Sequence, residues 1–292
     1  MNALPVFDAT VVIRRYGEPD WLLLEALEAL RVQTEVVLDV LLQDVRRSPE
    51  VERWVQAASS ETVAFRYTLF EDSSLSRARN RGVADARADI VLFSEPDALP
   101  EPNWASVMTR ELRRSGAAIV GSKIVPAWRT EPPFWTRARF VRDQYSLLDL
   151  GDETVEAPKV FGASFGLDRT KELRDSQGEL FATGLGRRGG ALFGGEETDL
   201  CARALAAGLR VVYTGHTSVR HQVLPERLTY RWIARRFYFA GRGRAQRGGR
   251  PSPSTRPQLT DYLVALPLLP WYVLGALSER LRVGNLERAP RP

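Results

Sequence analysis

From residue 9 to residue 125, short apolar runs alternate with stretches whose apolar residues recur at helical spacing. "ATVVIRRY" (9–16), "EVVLDVLLQD" (35–44), "TVAFRYTLF" (62–70), "DIVLF" (89–93) and "AAIVGSKIV" (117–125) read as strands. Between them, residues 19–33, 48–59, 74–88 and 102–116 read as helices. In the first helix Leu23, Leu24, Leu27 and Leu30 share a face, and Asp20 stands where a cap would. A strand such as "DIVLF" is apolar at every position, as in a parallel sheet covered by helices on both faces. The βαβαβαβαβ order predicts an α/β fold with a mainly parallel central sheet flanked by helices.

The pattern then changes. Residues 126–160 are irregular and rich in proline, tryptophan and arginine, which fits a mobile loop over a site or a plain connection. Two glycine pairs in "RRGGALFGGEETDL" precede a helix that starts near Glu196 and ends before Gly208, a helix-stopping glycine. "RVVYTG" (210–215) reads as a last strand, and residues 225–247 as a basic helix with interleaved aromatics. The stretch 259–282 is apolar but short of the roughly 20 residues a membrane span needs, and Pro267 and Pro270 interrupt it. It fits a helix lying on a membrane surface, against a partner, or against its own domain. The expected organisation is one domain over 1–245, divided near 125, followed by a linker and a helical C-terminal extension over 246–292.

Composition narrows the class. With 292 residues, 44% of them hydrophobic, the chain can bury a sizeable core. The single cysteine, Cys201, excludes a disulfide framework, argues against a cysteine-based zinc site, and sits on the apolar side of its helix. The N-terminus has no charged lead followed by a long apolar run, so no signal peptide is read. Both features suit a cytoplasmic protein, with association at the inner membrane face left open. The net charge of +5 is carried almost wholly by arginine, since only Lys123, Lys159 and Lys171 are lysines. Arginine suits bidentate contacts to phosphate or carboxylate; a solvated basic face fits the charge equally well.

Several short stretches carry candidate chemistry. Glu95-Pro96-Asp97 follows a buried strand, and ligands in open α/β sheets bind beyond the carboxyl ends of strands. In an extended segment the two carboxylates face one way, and such pairs hold Mg2+ or Mn2+ together with substrate phosphates; a plain turn is the alternative. In "GGEETDL", Glu196 and Glu197 open a helix, where a carboxylate serves as a dipole-favoured cap or as a general base. Arg77, Arg79 and Arg81 form a solvated face or an anion contact, and His216 and His221 follow the last strand.

Together these pieces resemble the family 2 glycosyltransferases of GT-A fold, a Rossmann-like architecture. "ATVVIRRYGEPDWLLLEALEAL" is similar to the family's opening strand and helix, with Arg14 and Arg15 in place of a proline and a small residue. "LSRARNRGVADARADIVLFSEPDALPEPNW" resembles the block carrying the D-x-D motif, "VFGASFGLDR" the acceptor-side strand, and "LGRRGGALFGGEETDLCARALAAGLRVVY" the block with the catalytic acidic pair. The likeness covers roughly residues 9–245.

The resemblance implies a nucleotide-diphosphate sugar donor, a divalent cation (Mg2+ or Mn2+) and transfer with inversion. It places Asp97, Glu95 and His221 at the metal, and Glu197 as general base beside Glu196. Tyr16, Gln43, Asp44, Arg79, Glu95 and Gly162 fall on the nucleotide-sugar side. Residues up to about 125 would bind nucleotide and residues 126–245 the acceptor, whether polysaccharide, lipid-linked glycan or small molecule. The C-terminal extension would supply a peripheral membrane contact or a homodimer interface, and no nucleic acid is expected. Three positions depart from the pattern: Glu95 and Glu197 are one methylene longer than the usual Asp, and Gln43 lacks a carboxylate. Those departures suggest one rival, a donor-binding protein without turnover; the basic helix suggests another, a binder of nucleic acid or anionic surfaces.

Overall fold

The computed structural model describes residues 6–186, 192–246 and 259–288. The glycine pair Gly189–Gly190 and most of the expected linker, 247–258, lie outside the described residues.

The strands are β1 (Ala9–Arg15), β2 (Leu38–Asp44), β3 (Val63–Leu69), β4 (Ile90–Ser94), β5 (Ala98–Pro100), β6 (Ile119–Trp128), β7 (Val155–Glu156), β8 (Ser164–Asp168) and β9 (Val211–Val223). They form one sheet in the order β3-β2-β1-β4-β8-β6-β9-β5, with β7 also pairing β9. The neighbours β3, β2, β1 and β4 are parallel, as are β6 and β9. β8 runs antiparallel to both β4 and β6. The sheet is thus mainly parallel, as the apolar runs predict.

Helices α1 (Asp20–Arg31), α2 (Pro49–Ala58), α3 (Leu75–Ala84), α4 (Trp104–Ser115), α5 (Arg139–Arg142), α6 (Glu196–Ala206), α7 (Tyr230–Gln246), α8 (Leu259–Ala265) and α9 (Leu269–Arg288) complete the fold. Two apolar clusters cover the two faces of the sheet. One joins Val11, Ile13 and Leu92 to Leu27 of α1, Val51 of α2 and Met108 of α4. The other joins Val12, Val91 and Phe93 to Val83 of α3 and to Leu200, Cys201 and Ala204 of α6. Alternate residues of one strand feed opposite clusters, which is why β1 and β4 need apolar side chains throughout. Cys201 is core, and burial pushes its thiol up to about 12. Gly208, at φ +73°, stops α6 in the left-handed region.

Three expectations change. Asp20 does not cap α1: Pro19 holds the cap position, and Asp20 binds Arg15 and the Ser48 hydroxyl instead. The buried Arg15 guanidinium is the stronger partner for that carboxylate. Residues 126–160 are not a free loop: β6 runs on to Trp128, and Val141, Tyr145, Leu147 and Leu148 join the core. Tyr145 stacks on Trp232 of α7 with ring centroids 5.2 Å apart. Finally, β9 continues eight residues past the expected end. Its register against β6 slips between Ser122↔Thr214 and Lys123↔Ser218, so Gly215, His216 and Thr217 bulge out.

α7 packs inward through Ile233, Ala234 and Phe237 and outward against α9. At that contact a Cβ on Gly241 would overlap the Tyr272 carbonyl oxygen, and one on Gly275 the Tyr238 carbonyl oxygen. Arg242 binds the buried Glu279 at 2.7 Å across the same seam. Gly241→Ala should therefore push α9 off α7 while leaving the sheet intact. Hydrogen exchange should show lost protection in α9 with β1 and β4 unchanged; equal protection throughout α9 would contradict the close approach.

Candidate active site

A cavity of about 560 Å3 lies beyond the carboxyl ends of the central strands. Sheet pairing brings its chemistry together. Ser94 and Ser164 face each other in the antiparallel pair of β4 and β8, so the residues leaving β4 meet those entering β8. Glu95 and Gly162 are thereby neighbours. Likewise Ala98 of β5 pairs with His221 of β9, which sets the imidazole beside Asp97.

Glu95-Pro96-Asp97 is a turn rather than an extended segment, closed by Ala98 N–H donating to Glu95 O at 3.0 Å. The carboxylates still converge. Ligand atoms of Glu95, Asp97 and His221 all lie within 4.8 Å of one another. His221 Nε2 is 3.3 Å from Asp97 Oδ1 and 3.7 Å from Glu95 Oε2. Its Nδ1 lies 2.7 Å from the Tyr145 carbonyl oxygen, which fixes the proton on Nδ1 and leaves the Nε2 lone pair facing the acids. That buried Nε2 has the Asp97 and Glu95 carboxylates as its neighbours, the position of a nitrogen placed to ligate a cation with them. Two carboxylates and an imidazole fit a divalent ion, and the imidazole suits Mn2+ better than Mg2+.

The local electrostatics agree. Burial pushes the Glu95 carboxyl up, reinforced by the Asp97 charge and opposed by His221 and Arg79. Burial disfavours a charged His221, yet the Asp97 and Glu95 carboxylates outweigh it and raise its pKa. A second cation, Arg227, donates to Asp97 Oδ2 at 2.8 Å from the short 3-10 turn after β9. Sequence spacing gave no signal for Arg227, which was hidden among many arginines.

The second constellation centres on Arg79 of α3. Its guanidinium is buried and lies 5.8, 5.3 and 5.6 Å from the ring centroids of Phe93, Phe165 and Phe181. It donates to Glu196 Oε1 at 3.0 Å and to Glu197 Oε1 at 2.8 Å. Gly195, at φ +108°, lets the chain turn into α6 so that both acids open the helix. Glu196 is buried with Oε2 unpartnered, and burial plus the Glu197 charge push its carboxyl up to about 7. Glu197 is the more open of the two, with 13% of its side chain exposed against 2% for Glu196.

Gly162 joins the two constellations. A Cβ there would stand 2.5 Å from Glu95 Oε1, 2.6 Å from Arg79 Nη2 and 2.6 Å from Glu197 Oε1. Acids from opposite halves of the chain meet at a point that only glycine leaves open.

Tyr16, Arg79, Glu95, Asp97, Gly162, Glu196, Glu197 and His221 all line the cavity. Gln43 and Asp44 do not. Asp44 is buried and bonded to Arg15 at 3.1 Å and to the Tyr67 hydroxyl at 3.2 Å, and Gln43 is fully buried. Arg15, one of the two departures after the first strand, occupies the carboxylate expected to face a nucleobase. Arg77 and Arg81 bind Asp72 and Asp85 on the surface of α3, and His216 lies on the β9 bulge away from the cavity. The cavity wall also uses Lys159, paired with Asp143 at 2.7 Å, and Trp232, neither of which the motifs single out.

The model of the family described as "Glycosyl transferase family 2" matches residues 10–170, ending before Glu196. The glucosyl-dolichyl phosphate glucuronosyltransferase of Haloferax volcanii is 22% identical over 224 residues, covering 74% of this chain and 69% of that protein. The pre-mycofactocin glycosyltransferase of Mycobacterium tuberculosis is 29% identical over 172 residues; the match covers 56% of this chain and 33% of that longer protein. Among solved structures, GalNAc-T7 with UDP, GalNAc and Mn2+ superposes with a TM-score of 0.57 at 12% identity, covering 91% of this chain and 56% of that one. Staphylococcus aureus TarS (residues 1–349) in complex with UDP-GlcNAc gives 0.55 at 12% identity, with 90% and 72% covered. Those two likenesses establish a shared GT-A fold. With a family model matched over more than half its length, the chain belongs to glycosyl transferase family 2 and is a glycosyltransferase.

Proposed function

We propose that this enzyme moves a sugar from a nucleotide-diphosphate donor to an acceptor hydroxyl with inversion at the anomeric carbon. The observation that carries the reading is the meeting of Glu95, Arg79 and Glu197 at Gly162, which sets a cation-holding cluster beside a candidate base. Asp97, Glu95 and His221 would hold a divalent cation, Mn2+ in preference to Mg2+. When bound, such an ion offsets the negative charge of a departing diphosphate.

This chain's own residues account for the other requirements. Arg227 adds positive charge on the same side. Tyr16, half-exposed at the rim, offers a ring face to a base. Glu197 is the general base: it reaches the cavity, and Arg79 holds its carboxylate in one orientation. An acceptor hydroxyl is a weak nucleophile, so removing its proton as the oxygen attacks is worth about 10²–10⁴ in rate. Glu196 sits beneath as its buried neighbour. Haloferax and Mycobacterium relatives are named for glycosyl transfer, and two structural neighbours were solved with UDP or a UDP-sugar; that likeness and the cavity support the reading of a nucleotide-sugar donor.

One contact favours a second reading. Arg227 already neutralises one oxygen of Asp97, so a cation-independent donor binder without turnover is the alternative. A donor screen with and without Mn2+ separates the two: stabilisation that requires both nucleotide and ion supports transfer, and equal stabilisation in a chelator supports the alternative.

Three outcomes follow from this reading. Glu197→Gln should lower kcat by about 10²–10⁴ while donor binding persists; wild-type turnover would remove Glu197 as the base. Gly162→Ala should keep the fold but displace three charged side chains at once, so donor-dependent thermal stabilisation should fall with melting in the absence of ligand nearly unchanged. For pH, a proton on His221 Nε2 competes with a metal ion, and the carboxylates raise its pKa. Mn2+ affinity by calorimetry should therefore strengthen as pH rises from about 6 to about 8. His221→Asn should flatten that dependence; an unchanged profile in the variant would exclude His221 from the ligand set.

A further inference from the structure

The C-terminal helices carry a surface that the catalytic reading does not use. α9 turns Tyr272, Gly275, Ala276 and Glu279 toward α7, and Leu274, Leu277 and Leu281 outward. Among the described residues, ten of the nineteen large apolar side chains that stand exposed fall between Leu259 and Leu281. A patch this concentrated marks an interaction site. No helix among the described residues is long and apolar enough to cross a membrane, so the surface is a face and not a span.

The charge around it has one sign. Between residues 230 and 282 the only acids are Asp261 and Glu279, and both are buried. Asp261 accepts from the Arg139 backbone N–H, and Glu279 is held by Arg242. Arg231, Arg235, Arg244 and Arg280 are exposed. The apolar face is also continuous with the active-site cavity, because Tyr262, Leu269 and Tyr272 of α8 and α9 line it.

We propose that α8 and α9 seat this face in an anionic lipid bilayer, with the cavity opening toward the lipid. Leu274, Leu277 and Leu281 enter the acyl boundary, Trp271 lies at headgroup level, and the arginines meet lipid phosphates. A second copy of the chain is a poorer occupant, since two such faces would bring the same arginine excess together. The segment 247–258 has three arginines and no acid, so it is an equally poor cover by charge. Given the glycosyl-transfer reading, on which this clause alone rests, the acceptor is lipid-borne and enters the cavity from the bilayer.

The test is flotation of the full chain with vesicles of phosphatidylcholine alone and with added phosphatidylglycerol. Binding should require the anionic lipid and weaken with salt. Leu274→Glu with Leu277→Glu should lower the bound fraction at least about tenfold. Exposed Arg280→Glu, which has no core contact to lose, should lower it as well and covers the case in which the leucine pair misfolds. Nucleotide-plus-Mn2+ stabilisation is measured on the same variants and should not change, so a failed donor reading and a failed lipid reading give different results. Equal flotation of wild type and variants, or no flotation with anionic vesicles, overturns the proposal. So does a wild-type dimer by light scattering that the leucine pair dissociates.

Discussion

A buried arginine organises this site. Arg79 lies among three phenylalanine rings with its charge answered by Glu196 and Glu197. A guanidinium removed from water at this depth needs both carboxylates, and breaking such a buried set costs about 3–5 kcal/mol. The constraint runs both ways. Two carboxylates side by side at the start of α6 would repel each other without the cation between them and the sheet. Arg79 therefore ties α3 to α6 and fixes the direction in which Glu197 looks. Everything chemical in the cavity is arranged around that fixed charge.

The sheet supplies the second constraint. In a fully parallel sheet the segment before Ser164 would enter from the opposite end and never approach Glu95. Because β8 is antiparallel, Gly162 and Glu95 share an end of the sheet, and the absence of a side chain at Gly162 lets the acid, the arginine and Glu197 meet. β9 makes the matching contribution from the other side. Its bulge at Gly215–Thr217 shifts the register, and only the continued strand carries His221 to a place opposite Ala98.

How much of this was legible follows from the range of each signal. Strands β1, β2 and β4 were readable because they are buried on both faces, so composition alone betrays them, whereas the short β5 and β7 carry no such run. Asp97, Glu95, Glu196 and Glu197 were readable because they sit at element ends, where a carboxylate interrupts an apolar run. His221 was a candidate beside His216 by its place after the last strand, but only the family resemblance chose it for the metal: the bulge breaks the apolar pattern, and the expected strand stops at residue 215. Gln43 and Asp44 lie outside the cavity lining for a reason the sequence does not display. Their position at a strand end is right, but Arg15 on the adjacent strand claims the Asp44 carboxylate, a partnership set by parallel register that no local pattern encodes. Arg227 and the Gly241–Gly275 crossing are likewise long-range contacts, silent in any window of sequence.

Charge bookkeeping round the cavity links the two halves of the site. Among the described residues, Glu196 and Glu197 pair with Arg79, and Asp97 with Arg227 and His221, while Arg14, Lys159, Arg236 and Arg244 line the same cavity. The raised pKa of Glu95 and that of Glu196, pushed to about 7, come first from burial and then from the neighbouring carboxylates, Asp97 for one and Glu197 for the other. A donor diphosphate entering this cavity under the proposed reading adds further negative charge. Its binding would be opposed unless positive charge arrives with it at Asp97, Glu95 and His221. Under that reading the opposite charges of donor and cation couple their affinities, each favouring the other by the same factor. The longer Glu side chains at 95 and 197 fit that coupling, since both reach the Gly162 gap, where Arg79 can answer them together.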